Sequence, residues 1–148
     1  MTACFDLHSH SLASDGALSP TDLVARAADY GVTHLALTDH DTLRGLDEAR
    51  QAAQARGMPL INGIELSVRH ANREFHVLGL WVDVDDPTLQ ARVSAHNEAR
   101  INRAREIGRR LEPAAGLANR YVRARELADN DAPGRPWLAK PLEQPPVP

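Results

Sequence analysis

Short apolar runs and helical patterns alternate along the first 80 residues. "ACFDLH" (3–8) reads as a strand and is followed by "SPTDLVARAADYG" (19–31), which carries the marks of a helix. Ser19 stands at the N-cap, Pro20 at the first helical position and Asp22 three residues past the cap. Leu23, Val24 and Ala27 give that helix its apolar stripe, and Gly31 stops it. "VTHLALTDH" (32–40) reads as a buried strand, and "TLRGLDEARQAAQARG" (42–57) as an Ala-rich helix closed by Gly57 and Pro59. "PLINGIELSV" (59–68) and "EFHVLGLWV" (74–82) follow as two more strands. Strand, helix, strand, helix, strand predicts an α/β fold with mostly parallel pairing through right-handed crossovers.

The pattern changes after Asp86-Pro87. Leu89, Val93, Ile101, Ile107 and Leu111 recur among many Arg and Glu, which predicts one long, exposed amphipathic helix over 87–111. A second helical piece is expected over 120–128, and six prolines between 130 and 148 predict an extended tail. The shift divides the chain into an α/β core at 1–86 and a helical segment with a Pro-rich tail at 87–148. Four strands make an open-edged half-sheet, so a second copy or a partner segment is expected to cover its edge.

Composition narrows the function classes. The chain has 148 residues, 43% hydrophobic and 25% charged, enough for one domain with a core. A net charge of −3 gives no basic footprint for long nucleic acid, and 4% aromatics leave no base-stacking platform. A small anionic ligand needs only local positive charge. The single Cys4 excludes an intrachain disulfide and fits a reducing compartment. No long apolar run or charged-then-apolar leader is visible, so a cytoplasmic location is expected.

Groups with metal-ligand chemistry gather at the predicted C-terminal ends of strands, the active-site side of parallel α/β folds. His8 and His10 end the first strand, Asp39 and His40 the second and Glu65 the third, while His76 lies inside the fourth. Spacing two on an extended segment points His8 and His10 to the same side, which suits chelation of one ion. Imidazoles and carboxylates without a thiolate suit Zn²⁺, Mn²⁺ or Fe²⁺. Each residue also has an ordinary structural reading. "TDHD" (38–41) fits a helix N-cap device with Asp41 or Thr42 capping 43–56, Glu65 fits a solvated strand end, and Asp15-Gly16 is a common turn pair. Recurrence after successive strands favours the shared site. His34, at a strand start, His70, in the "RHANRE" turn, and His96, mid-helix, read as structural or surface residues.

"DLHSHSLASDGALSP", "LALTDHDTLRGLDEA", "GIELSV" and "FHVLGL" together resemble the opening motifs of the PHP (polymerase and histidinol phosphatase) metal-dependent phosphoesterases. The likeness is to the branch that hydrolyses nucleoside 3′,5′-bisphosphates and the 5′ ends of short oligonucleotides. "GRPWLAKPLE" (134–143) resembles that branch's inserted segment, with Trp137 where a His is common. The resemblance implies the N-terminal half of a distorted (β/α)7 barrel followed by a helical, insertion-like segment. It implies that His8 and His10 bind one metal, that Glu65 bridges it to a second held also by His76, and that Asp15 and His40 serve a third. Asp39 and Asp41 would either orient the ligating imidazoles or serve as local structural groups, and Arg135 would clamp a substrate phosphate. The cofactors implied are two or three divalent ions, manganese first and zinc or iron as alternatives, with a metal-activated hydroxide as nucleophile.

The later His-Pro and Asp-x-His motifs of the family are absent, and no histidine follows His96. The chain therefore reads as a truncated member with weak metal binding and little or no turnover. Two other readings stay open. One is a histidinol-phosphatase or amidohydrolase-like metal hydrolase; the other is a non-catalytic metal-binding or interaction module.

Overall fold

A computed structural model describes residues 2–115 and 120–128. Its elements are β1 (Phe5–Ser9), α1 (Pro20–Asp29), β2 (His34–Leu37), α2 (Leu46–Ala55), β3 (Leu60–His70), β4 (Arg73–Leu80), α3 (Pro87–Ala115) and α4 (Arg120–Ala128). The sheet runs in the order β1-β2-β3-β4. β1 pairs parallel with β2, and β2 parallel with β3, as the alternating pattern predicts. β4 instead returns antiparallel along β3 over eight paired positions. The hairpin turns at Ala71 and Asn72, both at positive φ (46° and 63°), the backbone that a tight two-residue hairpin requires.

The predicted caps form. Ser19 Oγ accepts the Asp22 N–H at 3.1 Å, Pro20 opens α1, and Gly31 leaves it at φ 83°. The start of α2 differs from its prediction. Its N-cap is Gly45 with no side-chain cap, so neither Asp41 nor Thr42 caps it. Thr42 Oγ1 accepts the Arg44 N–H at 3.2 Å, and Asp41 reaches across to β3 at Ser67. β1 also carries an irregularity that the sequence does not announce. Asp6 pairs with Leu35 but Ser9 with Leu37, so one extra residue lies between. Such a bulge re-aims the side chains beside it.

The core lies where α1 and α2 pack against β2. Val24, Leu35, Leu37, Leu46, Ala49 and Ala53 are buried there. α3 is not simply an exposed helix. Arg100 Nη1 lies 3.2 Å from Asp41 Oδ2, and Arg103 Nη1 lies 3.3 Å from Glu74 Oε1, which ties one face of α3 to the sheet. α3 and α4 meet through buried Ala104 and Ala124, with Leu12 packed against them. No helix among the described residues is long and apolar enough to cross a membrane.

Leu35 is 0% exposed, so Leu35→Ala removes core contacts and leaves a cavity. It is expected to lower unfolding free energy by about 2–5 kcal/mol. Ser19→Ala removes one cap and is expected to cost about 1 kcal/mol. Urea unfolding of both variants checks the order; equal midpoints would show that α1 and α2 do not stabilise the sheet through this core.

Candidate metal centre

The register brings the polar strand ends together. β2 and β3 pair as Leu35 with Leu60 and Leu37 with Asn62, and the same register carries on to a bridge between His40 and Glu65. Glu65 is thus not a solvated strand end. It sits in the middle of β3, 5% exposed, at the level where the parallel ladder stops. On the other side of β3, His76 pairs with Ser67, two residues beyond Glu65. Residues two apart share a face and diagonal neighbours lie within reach of long side chains, so His76 joins Glu65.

Four imidazoles surround that carboxylate. His8 Nε2 lies 2.8 Å and His10 Nε2 3.0 Å from Glu65 Oε2, as their spacing predicts. His40 Nε2 is 3.8 Å from the same oxygen, and His76 Nδ1 is 3.1 Å from Oε1. Asp15 lies on the flank, 3.5 Å from His10 Nδ1 and 3.7 Å from His40 Nε2. Three overlapping groups result, each with ligand atoms close enough to share one ion: His8, His10 and Glu65; His10, Asp15 and His40; His40, Glu65 and His76. Asp15-Gly16 is also a turn, since Gly16 N–H donates to Ser11 O at 2.9 Å. A Cβ on Gly16 would lie 2.3 Å from the His10 carbonyl oxygen, so glycine is what lets the Asp15 loop lie against His10.

The donor set fits a divalent cation. Neutral imidazoles offer lone pairs and carboxylates offer charged oxygens, with no thiolate among them. Among the described residues, His10 Nδ1 and His40 Nδ1 are buried without a hydrogen-bond partner. Neither tautomer is therefore fixed by a second hydrogen bond, and both rings are open to a ligand that takes a lone pair. Burial works to raise the Glu65 carboxyl. The His8 hydrogen bond and the fields of His40, His10 and His8 outweigh it and hold the group below its usual range. Burial pushes the His40 imidazole down, against the raising influence of Asp15 and Glu65.

Asp39 and Asp41 do not hydrogen-bond the clustered imidazoles. Asp39 Oδ1 accepts from Ser11 N–H at 2.7 Å and Ser14 Oγ at 2.5 Å, and its Oδ2 from Ser11 Oγ at 2.7 Å. Burial raises its carboxyl even so. It pins the 11–14 loop, which carries Asp15 behind it. Asp41 Oδ1 and Oδ2 accept from Ser67 N–H and Oγ, both at 2.8 Å. His96, read from sequence as structural or surface, lies 3.2 Å from Asp41 Oδ1. His34 opens β2, its ring stacked on Phe5. His70 ends β3, exposed. Arg135 and the "GRPWLAKPLE" segment lie outside the described residues.

The PHP domain family model matches residues 6–128. A 5′-3′ exoribonuclease of Haemophilus influenzae is 48% identical over 131 residues, covering 88% of this chain and 47% of that protein. A 3′,5′-nucleoside bisphosphate phosphatase of Chromobacterium violaceum is 46% identical over 128 residues, covering 86% and 45%. A solved amidohydrolase of Chromobacterium violaceum, with bound sulfate and no metal, superimposes with a TM-score of 0.86 at 44% identity. That match covers 95% of this chain and 49% of the other. The chain spans about half the length of the curated relatives it matches.

The electrostatics give a signed pH dependence for the metal-free chain. The unfolded chain protonates His40 near 6.5, whereas the fold resists that proton, so stability falls as pH drops below 6.5. Glu65 is held down, so its contribution is present above 4.5 and is lost as pH falls below that. Urea midpoints between about pH 7.5 and about pH 3, a range that takes in the unfolded-state values of both groups, are expected to fall in two stages. His40→Gln should flatten the upper stage and only weaken the lower one, since His8 and His10 still act on Glu65; an unchanged upper stage would show that His40 is not buried in this way.

Proposed function

Because the chain belongs to the PHP domain family, we propose that it forms the metal-binding part of a phosphoesterase that hydrolyses phosphate monoesters of small nucleotides. The observation that carries this reading is the convergence of His8, His10, Asp15, His40, Glu65 and His76 into three overlapping groups around one buried carboxylate. In this reading His8 and His10 hold one ion, Glu65 shares it with a second that His76 also holds, and Asp15 and His40 hold a third. Manganese is the preferred ion, since oxygen and imidazole donors without thiolate suit it; zinc and iron are the alternatives. Divalent ions, when bound, supply Lewis-acid stabilisation of phosphoryl oxygens and a water nucleophile at neutral pH.

The chain's own residues fix the geometry in which that chemistry runs. Glu65 sets the spacing of the imidazoles, Asp39 holds the loop behind Asp15, and Arg135 clamps a phosphate with its bidentate guanidinium. The activities for which the Haemophilus and Chromobacterium relatives are named support a 3′,5′-bisphosphate nucleotide or an RNA 5′ end as substrate. The sulfate in the Chromobacterium structure supports a tetrahedral dianion as ligand. Residues 1–86 are taken as the metal-binding core and 87–148 as the start of an inserted subdomain. The chain works in the cytoplasm. A second copy or further segment covers the β4 edge, where Phe75, Val77 and Trp81 are exposed.

Manganese titration followed by calorimetry tests the reading. The wild-type chain is expected to bind manganese, Glu65→Gln to lose that binding, and His70→Gln, at an exposed strand end, to keep it. Phosphate release from adenosine 3′,5′-bisphosphate is expected to depend on added metal and to stay weak. Absence of divalent binding in the wild type, or binding unaffected by Glu65→Gln, overturns the proposal. The sulfate-bound neighbour is called an amidohydrolase, so a carboxamide panel forms the comparison arm.

A further inference from the structure

His96, Arg100 and Arg103 stand at i, i+4 and i+7 on α3, and so share one face. Two of them meet at Asp41, a carboxylate only 1% exposed. Its Oδ1 accepts from Ser67 N–H at 2.8 Å and lies 3.2 Å from His96 Nδ1. Its Oδ2 accepts from Ser67 Oγ at 2.8 Å and from Arg100 Nη1 at 3.2 Å. The Asp41 backbone is held as well. Its N–H donates to the Glu65 carbonyl at 3.0 Å, and Glu65 N–H donates to the Asp39 carbonyl at 3.2 Å. Residue 40 thus sits in a turn bonded on both sides to the strand that carries Glu65.

That turn is strained. Asp41 has φ 51°, a left-handed backbone that persists in a non-glycine residue only where surrounding contacts hold it. Ser67 supplies neutral donors, which leave the full negative charge in place. Arg100, whose side chain is 14% exposed, supplies the permanent cation. Without it the buried carboxylate keeps only the Ser67 donors and the His96 imidazole, an unfavourable arrangement for a full negative charge. Turning Asp41 towards water would loosen the 40–41 turn, and a backbone shift of that turn would move His40.

We propose that Arg100 and His96 are positioning residues for the metal centre. Acting through Asp41, they fix the 40–41 turn and with it the placement of the His40 ring against Asp15 and Glu65, so that α3 governs how tightly the centre holds its ions. The inference rests on the metal-centre reading above and extends it to a helix that carries none of the ligands.

The test uses the whole chain with two readouts: the His40 imidazole NMR signals without metal, and Co²⁺ affinity from its absorption spectrum. Arg100→Met is expected to remain folded by circular dichroism, to shift the His40 signals, and to weaken Co²⁺ binding roughly tenfold, the usual size of such indirect effects. Arg100→Lys, which keeps the charge, should recover most of both. His96→Asn should weaken binding less, and it carries the test if Arg100→Met fails to fold. Arg103→Met breaks only the more exposed pair with Glu74 and should change neither readout. Unchanged signals and affinity in Arg100→Met and His96→Asn overturn the inference, as does an equal loss in Arg103→Met, which would mark mere helix docking. A wild-type chain that takes no Co²⁺ overturns the metal-centre reading instead, and the His40 signals then decide the Asp41 brace alone.

Discussion

One buried carboxylate organises this molecule. Glu65 is 5% exposed at the centre of a strand, a position where an uncompensated charge is among the least favourable things a fold can contain. Compensation comes from three separate segments: His8 and His10 from β1 and its end, His40 from the turn after β2, and His76 from β4. Each arrives by a different geometric route. The parallel register places His40 level with Glu65, the antiparallel hairpin places His76 on its diagonal, and the β1 bulge resets which side chains face the sheet partner. Moving any of these strands by one residue turns its imidazole to the opposite face, so the site and the register constrain each other.

Two further carboxylates flank His40 and pull in different directions. Asp39 gathers the amide and hydroxyl of Ser11 and the hydroxyl of Ser14, which fixes the loop leading to Asp15. Gly45 packs close on it, since a Cβ there would lie 3.0 Å from Asp39 Oδ2, which is why a glycine begins α2 without a side-chain cap. Asp41 faces β3 and α3. The "TDHD" run therefore alternates duties along the chain: one imidazole turned to the cluster, with a scaffold acid on each side of it. A capping role and a site role compete for the same letters, and the site role won because both acids find better-buried donors than the first turn of α2 offers.

Much of this was legible in the residues. Ser19, Pro20 and Gly31 act locally, so the limits of α1 followed from the chain itself; the strands of the first half followed from their apolar runs. The family resemblance and the gathering of His and acid groups were equally readable, because alternation along a strand depends on backbone geometry alone. The direction of β4 was not, for its hairpin turns at Ala71-Asn72 without a glycine to mark it. The bulge in β1 depends on its partner strand. The purpose of His96 and Arg100 was hidden because their shared partner, Asp41, lies more than fifty residues earlier in the chain. Helical periodicity displays the i, i+4, i+7 face, but polar residues on such a face ordinarily meet water.

The separation of scaffold acids from cluster acids bears on how an acidic protein handles an anion. The chain carries a net charge of −3, the wrong sign for the phosphorylated ligand proposed above. Had all four nearby acids faced the cluster, bound cations would be neutralised by their own ligands. Asp39 instead bonds hydroxyl and amide donors, and Asp41 faces Ser67, His96 and Arg100, so among the described residues Asp15 and Glu65 are the acids that join the clustered imidazoles as candidate ligands. Four of the six clustered donors are imidazoles, which add no charge when they ligate a metal. Each divalent ion held there carries twice the charge of a carboxylate, so the local sign inverts while the rest of the surface stays acidic. Neutral imidazoles in the cluster and compensated aspartates outside it are two sides of the same requirement.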